Sequence, residues 1–273
     1  MTAAVGLLEQ ALHDAAPVGV AVSGGVDSMT LASFAHRLLG PDAVLAVHAT
    51  SPAVPAEATA RVHDEAARAG WQLRVIDAGE FADPAYRANP VNRCFFCKTN
   101  LYGSIAAETS WQVVSGANMD DLGEYRPGLD AARNHAVRHP FVEAGYSKSA
   151  VRALARTLGL RDIAELPSAP CLSSRIETGI RVEPEVLAFV HEAERLVAER
   201  LGAGDGAARS VRCRVRAAGV VIELDPASLV KFDTAERAAL GRLIAGAAPT
   251  GLAGRPIGFA PYRVGSAFLV PGA

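Results

Sequence analysis

The sequence predicts an α/β protein built on a parallel sheet and followed by a smaller α+β domain. Three observations carry that prediction. Short apolar runs rich in Val, Leu and Ile alternate with helix-period stretches through the first half of the chain, the rhythm of strand-helix-strand units. The first of those runs ends abruptly in a Gly/Ser turn that opens into a helix. Past a loop flanked by prolines, the pattern changes to one long helix followed by closely spaced strands. With 273 residues, half of them apolar, the chain can bury a sizeable core as one large or two smaller domains.

Met1–Ala16 alternates apolar and charged residues at helical spacing, with no basic start, apolar stretch and cleavage site of an export signal. No uncharged apolar run is long enough to span a bilayer, so a cytoplasmic protein without membrane contact is expected. Val18–Val22 is the first strand; Met29–Leu39 is a helix that Gly40 stops. Strands follow at Val44–His48, Leu73–Ile76 and Val113–Ser115, interleaved with helices at Pro55–Ala69 and Thr99–Thr109. Ligands of such sheets bind beyond the carboxyl ends of the strands, where Ser23–Ser28, Thr50–Pro52 and Gly116–Asp121 should gather. Ser149–Leu158 is a further helix, closed by Gly159, and the irregular stretch Pro167–Arg175 carries two prolines. A domain boundary is placed there, giving domains 1–175 and 176–273. In the second, Pro184 starts a helix running to Leu201, Val211–Arg216 and Val220–Leu224 are strands, Pro226–Ala247 is a helix and Pro256–Tyr262 a last strand. The Ala-rich Gly202–Ala208 reads as a flexible loop.

A formal charge of −2 with acids and bases dispersed offers no electrostatic footprint for long nucleic acid, and a small substrate is expected. Arg209–Arg216 is the one basic exception. Four cysteines in a chain without export signals should be reduced thiols, so their spacing points to metal or catalysis rather than disulfides.

Ser23-Gly24-Gly25-Val26-Asp27-Ser28 follows an apolar run and precedes a helix, the setting in which glycines let backbone curl around an anion and first-turn N–H groups point at it. It is neither the dinucleotide G-x-G-x-x-G nor the Walker G-x-x-x-x-G-K-[ST], and no lysine stands where a Walker lysine would. The bland alternative is an ordinary Ser/Gly turn. The six residues resemble the S-G-G-x-D-S loop of the PP-loop ATP pyrophosphatases, whose domain is adenine nucleotide α-hydrolase-like. That resemblance implies ATP cleaved between its α and β phosphates, with Mg²⁺ and these six residues at the phosphates. Asp27 suits such a place only if a metal or an N–H group offsets its charge.

Cys94 and Cys97 form a C-x-x-C pair after the loop Asn89–Asn92, and Cys171 lies in the proline-flanked loop. Three thiolates can hold a [4Fe–4S] cluster with one iron free of protein ligands. A structural zinc would want a fourth ligand, a redox pair would want the C-x-x-C at a helix start after a strand, and chance buried thiols are the bland alternative. Cys213 lies in the alternating run Val211–Val215 and reads as a core cysteine.

Ser23–Ser28, Asn92-Arg93-Cys94 with Cys97-Lys98, Gly116-Ala117-Asn118-Met119-Asp120-Asp121 with Tyr125-Arg126-Pro127-Gly128, and Pro170-Cys171-Leu172-Ser173-Ser174-Arg175 together resemble the LarE family. Its members are ATP-dependent sulfur transferases that make the nickel-pincer nucleotide cofactor of lactate racemase and related enzymes. The resemblance implies adenylation of the carboxylates of pyridinium-3,5-biscarboxylate mononucleotide and their conversion to thiocarboxylates. In the sacrificial type the cysteine matching Cys171 gives up its own sulfur and becomes dehydroalanine. In the other type three cysteines hold a [4Fe–4S] cluster, and the presence of Cys94, Cys97 and Cys171 favours that type.

The resemblance also implies roles for single residues, each with a plainer alternative. Asn118 and Asp121 would shape the nucleotide site, or simply form a turn. Ser174 and Arg175 follow the key cysteine; Arg175 would lower its pKa or bind phosphate, or be an exposed loop residue. Glu194 would be an active-site glutamate, or part of a solvated helix face. Arg212 and Arg214 would meet the substrate phosphate, or form an outward basic face; Arg216 could take the place of Arg212. Gly258–Ser266 keeps a Y-R-x-G-S segment but lacks an acidic residue that relatives often carry before the Arg, which puts any role of that carboxylate in doubt. Relatives form hexamers, so a homo-oligomer is expected, and the sulfide donor is open. Competing readings are an amidating synthetase of the NAD or GMP type, a tRNA thiolase and a nucleotide-binding regulator. Amidation or regulation leaves the cysteines without a task, and a tRNA thiolase should be more basic.

Overall fold

The computed structural model describes residues 2–123, 126–167, 170–202 and 210–269. Tyr125, Ser168, Ala169 and Arg209 of the segments above, and the loop expected after Gly202, lie outside the described residues. The chain divides into two compact units, one of residues 1–83 and 92–169, the other of 84–91 and 170–273.

The first unit holds four parallel strands: β1 (Val18–Ala21), β2 (Val44–Thr50), β3 (Gln72–Asp77) and β4 (Gln112–Val114), in the order β3-β2-β1-β4. Val18 pairs with both Val44 and Gln112, so β1 is central and its four residues are all buried. That is why it reads as a continuous apolar run rather than an alternating one. Val18, Val20 and Val22 pack into one cluster with Leu8, Leu12, Met29, Leu31, Phe141 and Val151, whereas Ala21 and Val47 join Tyr102, Ile105 and Val113 in another. Successive residues thus face opposite sides, and helices cover both.

Among the described residues six longer helices accompany the sheet: α1 (Thr2–Ala15), α2 (Val26–Leu39), α3 (Ala56–Ala69), α4 (Arg93–Glu108), α5 (Pro127–Asn134) and α6 (Lys148–Thr157). Two differ from the sequence prediction at their starts. Helix α2 begins at Val26, three residues before Met29, so half of the Gly/Ser turn is its first turn. Helix α4 begins at Arg93 rather than Thr99, so Cys94 and Cys97 lie in its first turns instead of a preceding loop; Cys and Phe are weak helix formers and masked that start.

In the second unit α7 (Pro184–Leu201) precedes β5 (Val211–Arg216), β6 (Gly219–Leu224) and β7 (Ile257–Pro261). Strands β5 and β6 form an antiparallel hairpin, and β7 pairs parallel to β6. The single helix expected over Pro226–Ala247 is two, Pro226–Leu229 and α8 (Thr234–Gly246). Asp233 causes the break: its side chain accepts the Glu236 N–H and Glu236 reaches back to the Asp233 N–H, a reciprocal cap that starts a helix afresh. Residues 84–91 belong to this unit through Asn89, buried with φ +54°, whose Nδ2 donates to the Glu177 and Ile180 carbonyls at 2.9 Å each. No helix among the described residues is long and apolar enough to cross a membrane.

Candidate nucleotide and thiol sites

Strands β2 and β4 flank β1, so the chain leaves β1 toward one side of the sheet and β4 lies on the other. The crevice at that reversal, beyond the carboxyl ends of β1 and β4, is where open α/β sheets bind ligands. Ser23–Ser28 follows β1 there and Ser115–Asp121 follows β4.

The turn is held from within and from both sides. Ser28 donates to the Gly25 carbonyl at 3.2 Å, which leaves its oxygen to accept from the Ser23 N–H at 3.0 Å and the Ser23 hydroxyl at 3.1 Å. With Ser28 so engaged, the first-turn N–H groups of α2 stay without intrahelical acceptors and face the turn. Gly24 has φ +78°, and a Cβ on it would lie 2.5 Å from the Ala58 carbonyl oxygen of α3. Arg61 of α3 donates to the Gly24 carbonyl at 2.6 Å. His48 on β2 is buried between the Val22 carbonyl (Nδ1, 2.8 Å) and the Thr59 hydroxyl (Nε2, 3.0 Å). A carbonyl can only accept, so Nδ1 carries the proton and Nε2 accepts from Thr59. Burial lowers the pKa of His48, consistent with this neutral tautomer.

From β4, Gly116 presses directly on the turn: a Cβ there would be 2.8 Å from the Asp27 carbonyl carbon and the Ser28 nitrogen. Asn118, 2% exposed, donates to Asp27 Oδ1 at 3.2 Å, and its N–H donates to Asp121 Oδ2 at 3.0 Å. Asp121 pairs with Arg126 at 3.0 Å. Asn118 therefore both forms its turn and touches the loop. Sequence reading missed one member of this group: Lys148, whose Nζ pairs with Asp27 Oδ2. The sequence gives no local sign of it, since the two residues are 121 positions apart.

In the second unit Cys171 precedes a short 3₁₀ turn, Leu172–Arg175, with Ser173, Ser174 and Arg175 buried. Arg175 is not an exposed loop residue. It pairs bidentately with Glu194 of α7 at 2.9 and 3.0 Å. Its Nη1 meets the Pro170 carbonyl, the Cys171 carbonyl (3.1 Å) and the Ser174 hydroxyl (3.1 Å). The guanidinium thus folds the Cys171 loop around itself. Glu194 does not belong to a solvated face either, since it also accepts the Cys213 N–H at 3.0 Å.

Arg214, 4% exposed, donates to the Ser174 carbonyl at 3.0 Å and pairs with Glu223 at 3.0 Å, so the outward basic face is excluded for it. Glu223, also missed in the sequence, gathers Arg214, Arg216 (2.8 Å) and the Ser266 hydroxyl (2.7 Å). A lone acid in the apolar β6, opposite an arginine-bearing strand, was the signal for it. Arg212 lies over the Tyr262 ring at 5.8 Å, and its pKa is lowered first by burial and then by nearby Arg175. Cys213 is fully buried and burial pushes its thiol pKa up, as befits a core residue.

Cys94, Cys97 and Cys171 are all half-buried, the first two in one unit and the third in the other. Within either unit, the described residues contain no group of three or more His, Cys, Asp or Glu gathered as a metal site.

No family model matches the chain. An uncharacterized protein of Synechocystis sp. is 37% identical over 232 residues, 82% of each chain. The pyridinium-3,5-bisthiocarboxylic acid mononucleotide synthase of Lactiplantibacillus plantarum is 32% identical over 192 residues, 69% of each chain. An uncharacterized protein of Methanocaldococcus jannaschii is 26% identical over 182 residues, 65% of this chain and 68% of its own. The parallel sheet, the S-G-G-x-D-S turn at its point of reversal and similarity over more than two thirds of the synthase agree with one another, and the chain belongs to the LarE family.

Proposed function

We propose that this protein is an ATP-dependent sulfur transferase that adenylates the carboxylates of pyridinium-3,5-biscarboxylate mononucleotide and converts them to thiocarboxylates. The observation that carries the reading is the presence in one chain of an anion cradle at the end of β1 and three half-buried thiols besides the core Cys213.

A carboxylate resists a sulfur nucleophile because its oxygen leaves poorly and its charge repels thiolate. Attack of the carboxylate oxygen on the α-phosphorus forms an acyl adenylate and releases pyrophosphate; sulfur then attacks the acyl carbon and AMP leaves. The α2 N-terminus and the Ser23–Ser28 backbone would bind the pyrophosphate as its charge develops. Asn118 and Asp121 would fix the nucleotide from the β4 side. Asp27, a partly exposed carboxylate beside this cradle, fits a Mg²⁺ ligand, because hard cations take carboxylate oxygens.

The Cys171 loop would present sulfur chemistry on a backbone fixed by Arg175 and Glu194, with Arg212 and Arg214 on the phosphate of the substrate. Among the thiols, half-buried Cys94, Cys97 and Cys171 fit an iron–sulfur cluster and buried Cys213 does not. Held by three thiolates, a [4Fe–4S] cluster would supply an open iron position for a transferable sulfide. The enzyme would work in the cytoplasm as a homo-oligomer.

The test is product analysis with ATP and the biscarboxylate nucleotide. Pyrophosphate and AMP are expected; release of phosphate instead would overturn adenylation. Anaerobically purified protein is expected to be brown and to lose iron when Cys94, Cys97 or Cys171 is replaced by Ala. A colourless, fully active protein in which Cys171 loses the mass of H₂S would replace the cluster by sacrificial transfer from Cys171.

A further inference from the structure

We propose that Arg61 is a positioning residue for adenylation: by holding the Gly24 carbonyl against α3, it keeps the Gly25 N–H turned toward the pyrophosphate moiety of ATP. The proposal rests on the adenylation reading above and adds a residue from outside the loop motif.

A trans peptide unit is planar, so its C=O and N–H point in opposite directions. Among the described residues the only cis bond is Ala16–Pro17, and the Gly24–Gly25 unit is trans. Arg61 Nη1, on α3, donates to the Gly24 carbonyl at 2.6 Å. The N–H of the same unit, on Gly25, is therefore turned away from α3. Gly25 is the N-cap of α2, so this donor stands next to the first-turn N–H groups of the cradle.

The neighbouring peptides are held by other residues. Before it, His48 binds the Val22 carbonyl and Ser28 accepts the Ser23 N–H. After it, the Gly25 carbonyl accepts the Met29 N–H at 3.1 Å and the Ser28 hydroxyl at 3.2 Å. The Gly24–Gly25 unit itself is held from α3. Ala58, one helical turn before Arg61, packs so closely that a Cβ on Gly24 would lie 2.5 Å from its carbonyl oxygen, which fixes the distance that the arginine has to span.

Glycine on both sides makes the direction of this unit a real choice. Turning it over changes ψ of Gly24 and φ of Gly25 and leaves the chain on either side nearly in place. Gly25 now has φ −86°, and glycine adopts positive φ as readily as negative, so the flipped unit meets no Cβ penalty there. Flipped, it would offer pyrophosphate a carbonyl oxygen in place of an N–H, a repulsion in place of a hydrogen bond. A guanidinium can only donate, so on the α3 side it selects the carbonyl and leaves the N–H for the other. A charged donor biases such a choice by about 10- to 100-fold.

The experiment is calorimetric binding of inorganic pyrophosphate and, separately, of AMP to the intact protein in Mg²⁺ buffer, at about 0.05 M and about 0.5 M salt, with folding of each variant checked by thermal unfolding. Arg61→Met keeps the apolar stem and loses the donor. It should weaken pyrophosphate by about 10-fold or more at both salt concentrations. AMP, which lacks the leaving phosphates, should change by less than about 3-fold. Arg61→Lys can still donate to the carbonyl and should recover most of the affinity for pyrophosphate. A loss that vanishes at high salt would overturn the proposal, leaving Arg61 as a distant counter-charge of pyrophosphate. Unchanged pyrophosphate affinity in Arg61→Met, an equal loss for AMP, or no recovery in Arg61→Lys would overturn it as well. Wild-type protein that binds neither ligand would overturn the adenylation reading itself, and this proposal with it.

Discussion

Gly116→Ala is the sharpest small perturbation that the structure offers. The residue does not have a positive φ, so alanine meets no backbone strain there. The cost is contact alone. The new Cβ would lie 2.8 Å from the Asp27 carbonyl carbon and the Ser28 nitrogen and 3.1 Å from Asp27 Cβ, against an ordinary contact that starts at 3.4 Å. Relief requires a displacement of about 0.6 Å, and two of the three obstacles are backbone atoms that cannot rotate away. Either α2 or the β4 loop must move, and both carry groups proposed above to bind the nucleotide. Overpacking of this kind costs about 1–3 kcal/mol, which in a protein of this size lowers the melting temperature by roughly 2–10 °C. Activity should suffer more than stability, because a misplacement approaching 1 Å reduces rate by up to about 100-fold. Pyrophosphate release at saturating ATP, measured beside thermal unfolding, separates the two effects. Gly123→Ala is the control, since its Cβ would meet nothing within 4 Å; it should stay within about 0.5 kcal/mol of wild type. Full activity with an unchanged melting temperature in Gly116→Ala would refute the close approach of the two loops.

Glu223→Gln should destabilise the protein by about 3–5 kcal/mol at neutral pH, because the buried Arg214 loses its charged partner. Burial pushes the Glu223 pKa up, but hydrogen bonds from Ser266, Arg214 and Arg216 outweigh it and hold the carboxyl below its ordinary value. Its stabilisation is therefore present above the unfolded value near pH 4.3 and lost as pH falls through the depressed one. Denaturant titrations in acid should show a flatter pH dependence in Glu223→Gln, and an unaltered slope would show that Glu223 does not supply it. Brief alkylation of folded, iron-free protein should modify Cys94, Cys97 and Cys171 and spare the buried Cys213, with peptide mass spectrometry as the check. Asp233→Ala removes the cap that starts α8 and should cost about 1 kcal/mol in chemical unfolding; no change would mean that the helix start is set elsewhere.

Much of the fold was legible because its signals are local. A central strand buried on both faces has to be apolar throughout, and Val18–Val22 shows it. Glycine at the end of α2 and proline at the start of α7 mark their helices for equally local reasons. The Asp233-x-x-Glu236 cap was legible too, by the same rule, but a long apolar pattern from Pro226 onward concealed it. What the sequence could not show were the partners of charged residues. Glu194 looks like one acid among several on a helix, and only its distant ion pair with Arg175 distinguishes it. Arg214 looks like a surface charge until the register of β5 and β6 sets it with Glu223 in one buried network. The Ser23–Ser28 turn, between a strand and a helix, could be read from six consecutive residues, whereas the cation on Asp27 comes from a helix far along the chain.

Arg175 and Lys148 carry their positive charge in different ways, set by the physics of their side chains. Arg175 is buried, and its planar fork meets one carboxylate, two carbonyls and a hydroxyl at once. Breaking any one of these contacts leaves polar groups unpaired in a place that water reaches poorly, so the guanidinium is fixed and the Cys171 loop is fixed with it. Lys148 has one ionic partner, a third of its side chain in water, and three donors on a point charge that can rotate. Parting it from Asp27 exposes neither group to an apolar interior, so the pair contributes little to stability. A lysine in place of Arg175 could not serve a carboxylate, two carbonyls and a hydroxyl at once. An arginine in place of Lys148 would keep the charge and could pair two-pronged with a carboxylate such as Asp27.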